Sequence, residues 1–86
     1  MADHEIKITE DMTYEPDPKT VKKGDRIVWL NTTGSVHTAT ADDNTWNTGD
    51  IDPGDKSKPV PFSKAGDSPY HCEYHGSMQG VVKVTG

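Results

Sequence analysis

Thr20-Val21-Lys22-Lys23-Gly24-Asp25-Arg26-Ile27-Val28-Trp29-Leu30-Asn31 is the stretch that decides the fold class. A short β-branched segment runs into Gly-Asp, a turn signal, and then into a run with apolar residues on both parities, the pattern of a central strand. The neighbouring segments repeat this grammar. Upstream, Glu5-Ile6-Lys7-Ile8-Thr9 alternates polar and apolar as a half-buried strand does, and Pro16 and Pro18 mark an edge or loop. Downstream, Thr33-Gly34 turns the chain and Val36 to Ala41 is rich in β-branched residues, so a strand is expected there with His37 at its start. Asp42 to Lys58 is polar and holds Asp52-Pro53-Gly54, the mark of a loop. Lys58-Pro59-Val60-Pro61-Phe62 carries two prolines and reads as an edge strand. After the turn Lys64-Ala65-Gly66-Asp67, the segments Ser68–Cys72 and Val81–Val84 read as the last two strands. No stretch sustains a 3.6 period and no internal repeat is visible. Short strands at roughly 8–12-residue spacing predict an all-β fold, an antiparallel sandwich or barrel.

The chain has 86 residues, which leaves room for one domain, 1–86, and no second core. Hydrophobic residues make up 30% and charged residues 27%, a balance near that of disordered chains, and the alternating segments decide against disorder. One cysteine excludes an internal disulfide, so a bound metal is the available source of extra stability. Fourteen acidic against nine basic side chains give a net charge of −5, which argues against nucleic acid or an anionic membrane as partner. No apolar run approaches the ~18 residues of a membrane helix. The first residues, Met1-Ala2-Asp3-His4-Glu5, lack the basic and apolar regions of a signal peptide; a cytoplasmic chain and a processed one both fit.

Tyr70-His71-Cys72-Glu73-Tyr74-His75-Gly76-Ser77-Met78 places the cysteine, a histidine and a methionine at three-residue intervals. Thiolate, imidazole and thioether form a soft to borderline donor set that suits copper and not magnesium, calcium or manganese. A fourth donor must come from elsewhere, and His37 is the best candidate. Strand alternation puts Tyr70 and Cys72 on one face and His71 on the other.

These residues resemble the cupredoxins, the type 1 blue copper family. The loop just quoted, followed by Gly80-Val81-Val82-Lys83-Val84, is similar to the family's copper loop, with the short Cys-x2-His-x2-Met spacing of its amicyanin-like members. Tyr14-Glu15-Pro16 resembles an aromatic-x-Pro element, Val21 to Asn31 a Val-x-x-Gly-Asp-x-Val-x-Trp-x-Asn strand pair, and Trp46-Asn47-Thr48-Gly49 with Pro53-Gly54 a Phe-Asp-Ser-Gly and Pro-Gly turn. The resemblance covers Tyr14 to Val84. It implies a Greek-key β-sandwich of seven to eight strands. It also implies one copper ion cycling between Cu(I) and Cu(II), with His37, Cys72 and His75 in a trigonal plane and Met78 as a weak axial ligand. Asn31 and Thr38 take supporting positions around the ligands, and His75 with Val36, Gly76 and Ser77 forms the patch where the electron leaves. Two departures stand beside the first histidine, where the family often has Pro and Asn and this chain has Val36 and Thr38.

The function implied is one-electron shuttling by a monomeric carrier, not an enzyme. Its donor and acceptor would be larger redox proteins, such as a c-type cytochrome or a copper or quinoprotein enzyme, in the periplasm or another extracytoplasmic space. A copper-delivery module without redox cycling and a domain detached from a multicopper enzyme remain as alternatives, and zinc also suits Cys72, His37 and His75. Outside this set the expectations are plain. His71 is a surface strand residue, His4 solvated, Met12 a core or edge packer, and Trp29 and Trp46 packing residues. Asn31-Thr32-Thr33 is a chance glycosylation match with an interior Asn. Asp42, Asp43, Asp50, Asp52 and Asp55 form a solvated acidic loop.

Overall fold

The computed structural model describes residues 2–86. Its eight strands are β1 (Asp3–Ile8), β2 (Tyr14–Glu15), β3 (Lys19–Lys22), β4 (Arg26–Asn31), β5 (Thr40–Ala41), β6 (Val60–Pro61), β7 (Gly66–Cys72) and β8 (His75–Thr85). They form two four-stranded sheets, ordered β2-β1-β4-β6 and β3-β8-β7-β5, a two-sheet sandwich of the cupredoxin Greek-key type. Strand β4 lies inside its sheet as the sequence predicts, with Ile27, Trp29 and Asn31 turned into the core and Arg26, Val28 and Leu30 half-buried outside. The expected all-antiparallel arrangement gives way to a mixed one: β1 runs parallel to β4 and β3 parallel to β8. The chain crosses between sheets after β2 and after β3, and strands joined by crossings need not run antiparallel as a tight hairpin requires.

Alternation fills the interior. Ile6 and Ile8 of β1, Val21 of β3, Tyr70 and Cys72 of β7, and Met78, Val82 and Val84 of β8 meet around Trp29. Pro61 lies in the edge strand β6, where a missing N–H costs least. The turn before β4 uses Gly24 at φ +95°, a conformation that side chains with a Cβ avoid.

Three expectations are corrected. The strand foreseen from Val36 to Ala41 is only Thr40–Ala41; His37 sits ahead of it in an isolated bridge with Ile51, because Asn31 gathers this segment into a turn. Met12 is 39% exposed at φ +62°, in the turn closed by the Met12 N–H on the Thr9 carbonyl, and does not join the core. His4 is not simply solvated: its Nε2 is 2.9 Å from Oδ2 of the buried Asp25.

Candidate metal centre

The end of the sandwich where β4, β7 and β8 meet carries the candidate site. Cys72 ends β7 on the inward face set by Tyr70, and both are buried, while His71 turns outward to Asp42 with Nδ1 2.6 Å from Oδ1. The sequence places His75 and Met78 in a loop before the last strand. The structure instead begins β8 at His75, leaving Glu73 and Tyr74 as the turn. The register then slips. His71 pairs with Gln79, yet Cys72 pairs with His75, so Gly76, Ser77 and Met78 are accommodated in an irregularity of β8. Such a bulge re-aims side chains, and here His75 faces Cys72 while Met78, only 1% exposed, enters the interior near the cluster.

His37 arrives from the segment between β4 and β5, outside both sheets. Asn31, buried at the end of β4, donates through Nδ2 to the carbonyls of Ser35 (2.7 Å) and Ile51 (2.8 Å) and accepts from the Thr33 N–H (2.9 Å) and hydroxyl (2.7 Å). Ile51 in turn exchanges both backbone hydrogen bonds with His37, at 3.2 and 2.8 Å. One amide thus ties the histidine's turn to the strand beneath it.

Nδ1 of His37 lies 3.6 Å and Nδ1 of His75 3.8 Å from Cys72 Sγ, and all three donor atoms lie within 4.8 Å of one another. Donors held roughly 2.0–2.3 Å from a common ion stand about 3.3–4 Å apart, so the spacing fits one metal ion. The chemistry fits as well. His37 is 2% exposed, and burial, followed by the nearby His75, lowers its pKa below the ordinary imidazole value. That keeps the ring neutral and its lone pair available, as a metal requires. No carboxylate belongs to the cluster among the described residues, which leaves a nitrogen and sulfur set of copper type.

Around the donors lies a polar network that sequence reading found only in part. The Thr38 N–H points at Cys72 Sγ at 3.5 Å, and its Oγ1 accepts the Glu73 N–H at 3.0 Å. Thr38 Oγ1 and Thr40 Oγ1 are 3.1 Å apart, and Thr40 donates to Glu73 Oε1 (3.2 Å), which also accepts from Asn47 Nδ2 (3.1 Å). The Tyr14 hydroxyl bonds the Thr38 carbonyl. Tyr14, Thr40, Asn47 and Glu73 carry no sequence signal for this role beyond the Tyr14-Glu15-Pro16 and Trp46–Gly49 resemblances, because each acts on a residue more than twenty positions away or one strand over. Val36 is half-buried, His75 half-buried, and Gly76 and Ser77 exposed, beside a cleft of about 270 Å³ lined by Met12, Thr33, Gly34, Ser35, His37 and His75. Tyr74 is 56% exposed with its hydroxyl on Asp50 Oδ1 at 2.7 Å.

A two-sheet sandwich with a buried His-Cys-His cluster and a methionine at its end defines a type 1 copper protein. A family model described as copper binding proteins of the plastocyanin/azurin family matches residues 2–85, and the chain belongs to that family. Among solved structures, an oxidised methionine-to-leucine variant of amicyanin is similar at 25% identity, TM-score 0.84, over 93% of this chain and 79% of that one. A Cu(I) methionine-to-alanine variant of amicyanin gives 27% and 0.81 over the same shares. A purple cupredoxin from Nitrosopumilus maritimus gives 22% and 0.86 over 94% and 98%, a likeness of fold. No curated protein matches in sequence. The chain has the type 1 copper electron-transfer function, and proteins of this kind are carriers and not catalysts.

Proposed function

We propose that His37, Cys72 and His75 hold the copper ion, that Met78 is a weaker fourth donor, and that Asn31 and Thr38 fix the donors in place. The mutual approach of the three donor atoms carries this reading. Bound there, copper supplies a one-electron couple: Cu(I) favours thiolate and thioether, and imidazole serves both oxidation states. The chain's contribution is rigidity. His37 is held by the Asn31–Ile51 clamp, Cys72 by the Thr38 N–H, and the two histidine turns by Thr38–Glu73, so the donors need not move when the charge changes.

His75, with Val36, Gly76 and Ser77, is the proposed exit for the electron. It is the one donor of the three that is not fully buried, and Gly76 and Ser77 after it are small. The partners we propose are redox proteins, such as a c-type cytochrome or a copper or quinoprotein enzyme, in an extracytoplasmic, periplasmic setting, met by residues 1–86 acting as one monomeric domain. The net charge of −5 favours a partner with a basic face.

An optical and spin-resonance spectrum of the copper-loaded protein tests the assignment. The expected result is an intense visible thiolate-to-copper band that vanishes on reduction and returns on oxidation. A protein that stays colourless with Cu(II) would refute it.

A further inference from the structure

A continuous group of aromatic rings runs from the strand of the cysteine to a groove that His75 does not line. Tyr14 meets Tyr70 edge-on with ring centroids 4.6 Å apart. Tyr70 meets Trp29 at 5.4 Å and Trp46 at 5.5 Å, and Trp29 stacks on Trp46 at 5.2 Å and 27°. The inner end reaches the donors twice. Tyr70 precedes Cys72 by two residues on the same face of β7, and the Tyr14 hydroxyl bonds the carbonyl of Thr38, whose N–H faces the sulfur. The outer end, Trp46, is half-buried over a groove of about 300 Å³ beside Phe62, Lys64 and Ser68, which shares no residue with the cleft at His75.

Ring contacts at these distances are ordinary in cores. The polar hydrogens are what set this group apart. Tyr70 Oη and Trp29 Nε1 are buried with no well-formed hydrogen bond and only each other at hand, an arrangement in which the phenol proton has no acceptor. Tyr14 has only a backbone carbonyl to receive its proton. A phenol that gives up an electron becomes a strong acid and must shed its proton, so neither tyrosine is a place where an electron vacancy can rest. An indole can hold the vacancy as a cation with its N–H in place. Trp46 keeps its N–H on the Ser68 hydroxyl at 2.8 Å, and Trp29 has beside its N–H only the Tyr70 hydroxyl, too weak a base to take the proton. The two stacked indoles are therefore the stations, and the tyrosines are the medium between them and the sulfur.

We propose that Trp46 and Trp29 form a second electron route, distinct from His75, that delivers electrons from the reduced copper centre to strong one-electron oxidants at the Trp46 groove. The proposal rests on the copper assignment above. The oxidant, a radical or high-valent metal species, takes one electron from the Trp46 indole and is itself reduced by one unit. The vacancy is shared with Trp29, and one electron from the reduced centre fills it, leaving that centre oxidised by one unit. No bond forms or breaks and no proton moves. A mild redox partner cannot oxidise an indole, so the route stays closed to the traffic through His75 and opens only to oxidants that would otherwise damage the chain.

The test attaches a ruthenium polypyridyl photo-oxidant at the groove through Lys64→His and follows a laser flash. The resting visible band first checks the copper assignment independently. In the reduced, copper-loaded protein the band should then appear at least tenfold faster than in the same protein carrying Trp46→Phe, at a rate independent of pH. Phe62→Leu, which removes a ring that touches Trp46 at 5.3 Å, should leave that rate unchanged. In the copper-free protein the flash should give an indole radical cation that persists and is missing from the Trp46→Phe form, a readout that needs no metal. Equal rates with and without Trp46, equal slowing by Phe62→Leu, or a tyrosyl radical as the first product would each overturn the proposal.

Discussion

Thr38 touches Cys72 and its neighbour at once: the Thr38 N–H points to the sulfur at 3.5 Å while its hydroxyl accepts the Glu73 N–H at 3.0 Å. Asparagine is frequent at this place in the family that the chain resembles; here one threonine makes both contacts. Thr38→Val keeps the shape and the backbone contact but leaves the Glu73 N–H without its acceptor. The expected loss is about 1–3 kcal/mol of stability, read by thermal melting of the copper-free protein. The copper-loaded variant should show a shifted reduction potential, since the turn after Cys72 loses one of its ties to the His37 segment. Unchanged melting and potential together would remove Thr38 from the site.

Asn31 is buried and uses both ends of its amide on four partners spread over Thr33, Ser35 and Ile51. Asn31→Ala takes one donor from each of the Ser35 and Ile51 carbonyls, which keep the Thr33 hydroxyl and the His37 N–H, and leaves the buried Thr33 N–H without its acceptor. A loss of about 2–5 kcal/mol is expected. Copper affinity, measured by competition with a chelator, should fall as well, because His37 reaches the donor cluster only through the Ile51 bridge that this amide holds.

How much of this was legible in the chain depends on the range of the interaction. Strand β4 follows from its apolar run after the Gly-Asp turn, the edge strand at Val60–Pro61 from proline placement, and the inward turn of Cys72 against the outward turn of His71 from alternation, all of them local signals. The parallel pairing of β1 with β4 is a property of crossings between sheets, and no local pattern records it. Family resemblance and donor chemistry point to His37 as the partner of a cysteine thirty-five residues away, and the structure brings its Nδ1 to 3.6 Å from that sulfur. Its expected strand was too long because β-branched composition from Val36 to Ala41 competes with the Asn31 turn, and the turn, with four hydrogen bonds on one buried amide, wins. The Thr38–Thr40–Asn47–Glu73 network stayed invisible because each member is an ordinary polar residue until the sheets bring them together. His4 read as solvated for the same reason: Asp25, its partner, lies across the β1–β4 pair.

The roles of the sulfur donors separate cleanly by substitution. Cys72→Ser should abolish the visible band, because the thiolate that produces it is gone; a blue Cys72→Ser protein would overturn the site. Met78→Leu is close to volume-conserving at a buried position, so it should cost less than about 1.5 kcal/mol of stability. It should retain copper and raise the reduction potential, because the weak fourth donor and the polarity around the sulfur tune that potential, and leucine removes the donor and makes the surroundings more apolar. An unchanged potential by voltammetry would mean that Met78 is not a donor.

Asp25 should make the end of the sandwich away from the donors sensitive to acid. Its carboxylate accepts the Ala2 N–H (2.9 Å), faces His4 Nε2 (2.9 Å) and accepts the Lys22 N–H (3.0 Å), and these contacts, in that order, hold its pKa well below the usual carboxylate range. Because the folded value lies below the unfolded one, the stabilisation is fully present above the unfolded pKa of about 4 and is lost as pH falls toward the folded value. Asp25→Ala should therefore lower the urea midpoint at neutral pH, with the gap to the unaltered protein narrowing in acid. A gap that stays constant through the carboxylate range would show that the charge is not what the site uses.

Gly80 pairs with Tyr70 across β7 and β8, and a Cβ there would stand 2.7 Å from both Cζ and Oη of that ring. The ring cannot move aside, because it is buried between Tyr14, Trp29 and Trp46. Gly80→Ala should thus cost about 1–3 kcal/mol through overpacking, which lowers Tm by roughly 5–20 °C in a domain of this size. Tyr70→Phe removes one of the two crowded atoms and a hydroxyl that has no partner, so alone it should be close to neutral. The double variant should be more stable than the sum of the two single changes predicts, because the relief occurs only when both are present. Additive effects in that cycle would mean that the loss at Gly80 comes from the backbone of β8 and not from its approach to the ring.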